Sequence, residues 1–136
     1  MISSKEQIYI VDDDESVCRA LKVLLDTSGF EVRTFSSAEQ FFSAVPNSAS
    51  GCLILDIHLP GINGWQAQQR LLKSGSKRPV IVITVDQEDE LAELALKAGL
   101  AGFLQKPFHD RALIDTVSVA LKSEMGTNKI NQIVSV

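Results

Sequence analysis

The sequence predicts an α/β domain built on one five-stranded parallel sheet with helices on both faces. Short apolar runs alternate five times with longer segments in which apolar residues recur every three or four positions. Several of the short runs are apolar at every position, which is typical of strands that helices cover on both sides. The chain has 136 residues, 45% hydrophobic and 22% charged, which suits one folded domain with its own core.

The alternation begins near the amino terminus. A strand is expected at 8–11, where β-branched and aromatic residues run into three aspartates. A helix at 17–28 carries Val and Leu along one face, and Gly29 ends it. The second strand, at 31–35, alternates in polarity, and Ser37 then caps a short helix that ends before the next proline.

The rest of the chain continues with three strands and three helices. The next two strands are apolar throughout, and the last one is shorter. The expected strands are 52–55, 80–83 and 102–105. Each helix has one apolar face, and Asp110 is placed to cap the last of them. The expected helices are 65–73, 87–98 and 110–121.

Parallel strands joined by right-handed crossovers allow few arrangements, and the common doubly wound order for five strands is 2-1-3-4-5. The sequence therefore predicts this flavodoxin-like (βα)₅ fold. We expect the domain to cover residues 1–124. The segment 125–136 is too short for a second domain and is expected to be a disordered tail, with a docked or swapped strand at 130–136 as the alternative.

Charge and cysteine content argue against several classes of protein. The formal net charge is −4, whereas nucleic-acid-binding domains usually present a basic face, so we expect no direct nucleic-acid binding. Cys18 and Cys52 lie in apolar stretches and are expected to be buried thiols. The apolar runs are far shorter than the ~20 residues of a membrane helix, and no signal-peptide core opens the chain. We therefore expect a cytoplasmic protein with no membrane contact.

Polar residues follow the predicted strands at the sheet edge where all the strands end. Asp12, Asp13 and Asp14 follow the first strand, Asp56 the third, Thr84 the fourth and Lys106 the fifth. Strands 1 and 3 are neighbours in the predicted order, and ligands bind where that order reverses. Clustered carboxylates favour a hard cation such as Mg²⁺ or Mn²⁺, and a lysine with a hydroxyl suits a phosphoryl group. Asp56 is then placed to act as a carboxylate nucleophile toward phosphorus.

Four segments in this order resemble the receiver domain of the response regulators of two-component signalling. They are the acidic run at 11–14, the segment 55–61 with Gly64, Ile83-Thr84, and Lys106-Pro107-Phe108. The resemblance covers residues 7–122. It implies a phosphoprotein that accepts its phosphoryl group from a sensor histidine kinase or phosphotransfer protein.

The resemblance also assigns roles to individual residues. Asp56 is the implied phosphoacceptor. The implied metal ligands are Asp13, Asp56 and the backbone carbonyl of His58, with Asp12 acting through water. Thr84 and Lys106 are implied to bind the phosphoryl group, and the Lys106–Pro107 bond is expected to be cis.

Phosphorylation would switch the conformation, because it adds charge and acceptor oxygens that draw Thr84 inward. Phe103 is the implied aromatic partner that turns into the space behind Thr84. The face formed by the helix at 87–98, the fifth strand and the last helix would then change and meet its partner. A homodimer that forms on activation is one expected use of that face.

Two residues depart from the receiver pattern and keep an alternative function open. Val85 stands where receivers usually have Ala or Gly, and Asp86 adds negative charge at the site entrance. The alternative is a receiver-fold interaction module that is phosphorylated poorly or not at all. A haloacid-dehalogenase-like phosphatase ranks lower, because His58 stands where that class needs a second acid. We expect no separate enzyme activity beyond the loss of the protein's own phosphoryl group. The sequence is compatible with a stand-alone receiver and with a fragment of a longer regulator.

Overall fold

Five strands form one parallel sheet in the computed structural model, which describes residues 6–59, 61–84 and 100–123. The strands are β1 (Gln7–Val11), β2 (Glu31–Phe35), β3 (Cys52–Asp56), β4 (Val80–Thr84) and β5 (Gly102–Gln105). Their order is β2-β1-β3-β4-β5, and every pairing is parallel. The predicted doubly wound order is therefore confirmed.

Four helices lie in the described part of the chain. They are α1 (Glu15–Thr27), α2 (Ala38–Ala44), α3 (Gly64–Lys73) and α4 (Asp110–Ser123). The first of them starts two residues earlier than its apolar pattern suggests, because the Asp14 side chain accepts hydrogen bonds from Ser16 N and Val17 N and caps it. The helix predicted at 87–98 and the tail at 125–136 lie outside the described residues. None of the helices in the described ranges is long and apolar enough to cross a membrane.

Alternate residues of each central strand face opposite sides of the sheet and form two cores. On one side Tyr9, Leu53 and Val82 pack with residues of α2 and α3. On the other side even-numbered residues of β1 and β3, such as Ile10 and Ile54, pack with residues of α1 and α4. This pattern explains why the central strands are apolar at every position, and it leaves the strand ends as the place for polar chemistry.

A buried arginine holds together the end of the sheet where the strands begin. The Arg78 guanidinium donates hydrogen bonds to the carbonyls of Pro46 (2.9 Å) and Ala49 (2.7 Å). It also lies over the rings of Tyr9 and Phe41, 5.4 and 5.2 Å from their centroids. The loop before β3 is therefore tied to the start of β4 and to the core.

Candidate functional site

Backbone hydrogen bonds continue past the strand ends and place the polar residues that follow. Asp12 N donates to Phe35 O (3.1 Å), Ile57 N to Ile83 O (3.0 Å), and Lys106 N to Thr84 O (2.7 Å). The polar residues at or just after the ends of four strands, Asp12, Asp56, Thr84 and Lys106, are thereby positioned along one edge. The sequence expectation that these residues share an edge agrees with this geometry, while their individual roles remain predictions.

Three carboxylates meet at this edge. One oxygen from each of Asp12, Asp13 and Asp56 lies within 4.8 Å of the others. Asp12 is buried, Asp56 partly buried and Asp13 exposed. Burial of the three carboxylates therefore decreases from Asp12 through Asp56 to Asp13, which faces solvent.

Lys106 joins the two inner carboxylates. Its Nζ lies 3.6 Å from Asp12 Oδ2 and 3.6 Å from Asp56 Oδ2. Three carboxylates facing one ammonium group leave an excess of negative charge. A group of oxygen ligands with net negative charge fits Mg²⁺ or Mn²⁺.

The environment of Asp12 disfavours its charge. Burial raises the pKa of the Asp12 carboxyl, and the neighbouring Asp56 carboxylate acts in the same direction. A hydrogen bond from Asp14 N to Asp12 Oδ1 (2.9 Å) and the Lys106 ammonium oppose the rise without cancelling it. A bound divalent cation would relieve the repulsion that remains.

Asp14 and Cys18 support the cluster from α1. Asp14 Oδ1 accepts from Ser16 N at 2.9 Å and from Val17 N at 3.3 Å, so its carboxylate is used as a helix cap. The Cys18 thiol donates to Asp12 O at 3.3 Å, and burial raises the pKa of that thiol. Cys18 and Cys52 are both buried, as the sequence predicts.

The loop between β3 and α3 folds tightly against Asp56. His58 N donates to Asp56 Oδ1 at 2.9 Å, and Gly64 N donates to Ile57 O at 3.1 Å. A Cβ at Gly64 would lie 2.7 Å from Ile57 Cα and 2.8 Å from Asp56 O. Only a glycine lets the first turn of α3 approach the Asp56 backbone this closely.

Thr84 and Phe103 lie on one face of the sheet. Thr84 is buried at the end of β4, and Phe103 of β5 is paired with Val82, two residues earlier on the same face. Phe103 is partly buried and packs against the core on that side. The Lys106–Pro107 peptide bond is cis, as the resemblance implies. Val85 and Asp86, predicted to control access, lie outside the described residues.

One contact of the β3–α3 loop has no counterpart among the sequence predictions. Ile62 N in the β3–α3 loop donates to Glu39 Oε2 of α2 at 3.4 Å. Glu39 lies two residues after the capping Ser37 in an ordinary helix start, so its sequence position carries no signal of a contact with the β3–α3 loop.

Residues 8–118 match the response regulator receiver domain family. The chain belongs to that family. Among curated proteins, this receiver is 41% identical to the response regulator protein TodT of Pseudomonas putida over 85% of its own length and 51% of TodT. It is 34% identical to the transcriptional regulatory protein FixJ of Bradyrhizobium diazoefficiens over 89% of its own length and 59% of FixJ. The chain thus spans little more than half the length of these relatives.

Solved structures agree with the observed topology. The receiver superposes on the FixJ-N crystal structure with a TM-score of 0.80 at 32% identity, covering 88% of this chain and 96% of that one. The BeF₃-activated DrrB receiver domain gives a TM-score of 0.75 at 25% identity, covering 88% and 99%. The predicted membership of the receiver family and the predicted fold are confirmed.

Proposed function

We propose that this receiver accepts one phosphoryl group on Asp56 from a sensor histidine kinase or phosphotransfer protein in a Mg²⁺-dependent reaction. The observation that carries the proposal is the meeting of Asp12, Asp13 and Asp56 with Lys106 at one edge of the sheet. Membership of the receiver family supports the same assignment.

The metal would be held by carboxylate oxygens that lie close together and by one backbone carbonyl. Asp13 and Asp56 are the proposed direct ligands, with the His58 backbone carbonyl as a third and Asp12 acting through water. When bound, Mg²⁺ or Mn²⁺ would supply positive charge that neutralises the acids and the incoming phosphoryl oxygens. The excess negative charge of the cluster is the physical basis for this requirement.

Transfer forms one bond and breaks one. An Asp56 carboxylate oxygen attacks phosphorus, and the P–N bond to the donor imidazole breaks. The imidazole nitrogen keeps the bonding electron pair and takes a proton from solvent. The product on the receiver is an aspartyl phosphate, a mixed anhydride that water later cleaves to restore the carboxylate and release inorganic phosphate.

Lys106 and Thr84 would bind the transferred group. Once Asp56 carries the phosphoryl group, the Lys106 ammonium pairs with a phosphoryl oxygen, and the Thr84 hydroxyl donates to another. Phe103 lies on the same face as Thr84 and is partly buried, so it would move into the volume that Thr84 leaves. The surface that includes β5 and α4, with the helix predicted at 87–98, would then change shape.

The changed surface would pass the signal to another protein or segment, or pair two copies of the receiver. The stretch that matches this chain is only 59% of FixJ, a relative named as a transcriptional regulatory protein. We therefore propose a regulatory output, with nucleic-acid contact made outside this domain.

Intact-mass measurement tests the phosphoacceptor. With acetyl phosphate and Mg²⁺, we expect the wild-type chain to gain the mass of one phosphoryl group and Asp56→Asn to gain none. Asp14→Asn is the matched control, because Asn also caps a helix and Asp14 is outside the proposed metal ligands. It should be labelled like the wild type.

The negative outcomes separate the two candidate functions. A wild-type chain that gains no mass with acetyl phosphate, and none with phosphorylated kinase domains, contradicts the proposal. That result favours the interaction module that Val85 and Asp86 suggest. Labelling that persists in Asp56→Asn would move the phosphoacceptor to another residue.

A further inference from the structure

The β3–α3 loop is held in part by a helix far from it in sequence. Ile62 N donates to Glu39 Oε2 at 3.4 Å across 23 positions of the chain. Glu39 lies in the first turn of α2, whereas Ile62 lies just before α3. The contact therefore ties the loop to a separate element.

A glycine in the loop makes room for the Glu39 carboxylate. Gly61 has a φ of +71°, and a Cβ there would lie only 2.7 Å from Glu39 Oε2. The carboxylate oxygen thus occupies the place that a side chain at position 61 would need. The missing side chain at Gly61 and the hydrogen bond from Ile62 N together position the Glu39 carboxylate against the loop.

The base from which Glu39 projects is firmly packed. Ser37 Oγ accepts from Gln40 N at 3.1 Å, and Gln40 Oε1 accepts from Ser36 N at 3.1 Å, so the start of α2 is capped. Phe41 is buried and makes edge contacts with the rings of Tyr9 and Phe35, 5.6 and 5.5 Å between centroids. Glu39 is therefore presented from a rigid support.

Two further hydrogen bonds of the loop join residues close in sequence. His58 N donates to Asp56 Oδ1, and Asn63 N donates to Gln66 Oε1 at 3.0 Å. These bonds shape the two ends of the loop. Glu39 acts on its middle, between the His58 backbone and the start of α3.

We infer that Glu39 is a positioning residue that fixes the β3–α3 loop so that the His58 carbonyl faces the metal. The inference rests on the proposed function, because it gives that carbonyl the role of a ligand. Mg²⁺ demands near-ideal octahedral geometry, so a loosened loop weakens binding even with every carboxylate in place.

Two substitutions separate the hydrogen bond from the charge. Glu39→Ala removes the acceptor, while Glu39→Gln keeps an acceptor oxygen and removes the charge. Glu31→Ala is the control, since Glu31 is an exposed glutamate on β2 whose side chain accepts a hydrogen bond from Gln7 Nε2. Mg²⁺ affinity is followed by the fluorescence of Trp65, the single tryptophan, which lies in α3 beside the loop.

We expect Glu39→Ala to weaken Mg²⁺ binding by roughly three- to ten-fold, less than the roughly 10- to 100-fold effect of residues that hydrogen-bond to a metal ligand directly, because Glu39 acts through the loop backbone. Glu39→Gln and Glu31→Ala should stay within about twofold of wild type. In the metal-free protein, hydrogen exchange at the Ile62 amide should be faster in Glu39→Ala and near wild type in Glu39→Gln. Because this exchange is measured without metal, it reports the Glu39–Ile62 contact separately from Mg²⁺ affinity.

A double-mutant cycle with Gly61→Ala checks the contact itself. A Cβ at position 61 collides with Glu39, so Gly61→Ala should cost less Mg²⁺ affinity in the Glu39→Ala background than in wild type. Equal costs in the two backgrounds would contradict a direct contact. Thermal unfolding of each variant shows that the protein remains folded at the temperature of the titration.

Several outcomes would overturn the inference. Glu39→Ala with wild-type Mg²⁺ affinity and wild-type Ile62 exchange removes it, and so does a Glu39→Gln variant as weak as Glu39→Ala, which would indicate a charge effect. If the wild type is phosphorylated but Glu39→Ala matches it in Mg²⁺ affinity and in Ile62 exchange, the inference about Glu39 fails and the proposed function stands. If the wild type binds Mg²⁺ with the expected Glu39 dependence but is never phosphorylated, the proposed function fails alone. Absence of Mg²⁺ binding by the wild type overturns both.

Discussion

Three consecutive aspartates after β1 have three different environments. Asp12 has 4% of its surface exposed and lies beside Lys106, Asp13 is exposed, and the Asp14 side chain caps α1. Although the three side chains are chemically identical, they therefore contribute differently to the free energy of folding. The cost is concentrated at Asp12, because burial penalises its charged form.

Asp12→Asn should stabilise the metal-free receiver at neutral pH. Asn keeps the oxygen that accepts from Asp14 N and removes a buried charge next to Asp56. We expect the midpoint of thermal unfolding to rise by roughly 2–5 °C, which is about 1 kcal/mol in a domain of this size. The measurement is calorimetry in EDTA.

The pH dependence of this gain has a definite sign. The pKa of Asp12 is raised in the folded state, so the folded protein takes up a proton at a pH where the unfolded chain is still ionised. The destabilisation by the buried Asp12 charge is complete above the raised pKa of the folded protein. It disappears as the pH falls through that pKa toward the ordinary pKa of an aspartate in the unfolded chain. The gain of Asp12→Asn should therefore shrink on acidification, and a constant or growing gain would contradict the assignment.

At the scale of elements, opposite ends of the strands have different tasks. The ends that carry Asp56 and Thr84 bring together the polar groups of the candidate site. The other end is closed by Arg78, which joins the loop before β3 to the aromatic rings of β1 and α2. The candidate site and the stabilising contacts of Arg78 thus lie at opposite ends of the strands, although both depend on the same sheet.

Arg78→Met should destabilise the fold without disturbing the site. It leaves the carbonyls of Pro46 and Ala49 without these donors, which costs roughly 2–4 kcal/mol. Urea unfolding should show a lower midpoint with an unchanged slope, and the rate of labelling by acetyl phosphate should match the wild type. Arg33→Met is the control, because Arg33 is exposed and lies 5.3 Å over the Phe35 ring, a contact worth about 0.5–1 kcal/mol. Equal losses in the two variants would contradict the anchoring role of Arg78.

At the scale of the whole molecule, the proposed metal site depends on folding. The acids that meet at the carboxyl edge come from β1 and β3, so the site exists only when the sheet is assembled. A cation that binds the folded state alone must stabilise the whole domain.

Mg²⁺ at a concentration of about 100 times its Kd should add about 2.7 kcal/mol to the free energy of unfolding. Asp13→Asn should lose most of this increment but change metal-free stability little, because Asp13 is exposed. Asp14→Asn should keep the increment. Urea titrations in Mg²⁺ and in EDTA measure it, and an increment that survives in Asp13→Asn would remove Asp13 from the ligand set.

Much of the fold and the candidate site was predictable from local pattern. The strands at Cys52–Asp56 and Val80–Thr84 are continuous apolar runs, and the polar residue that ends each run marks the edge where it emerges. Because parallel strands with right-handed crossovers allow few orders, these positions already place Asp56, Thr84 and Lys106 on one edge. Periodicity and connectivity were enough for this, since both are properties of short segments.

Other features were decided by tertiary structure alone. Lys106 bridges two acids, Glu39 reaches the loop at Ile62, and Arg78 closes the far end of the sheet through contacts between residues distant in sequence. Such contacts depend on how the helices pack on the two faces of the sheet. A local sequence pattern does not show which residues far apart in the chain will meet. The sequence by itself determined the architecture and the composition of the site. Packing decided which acid is buried and which side chains hold the site in place, because burial and charge pairing arise only when separate elements meet.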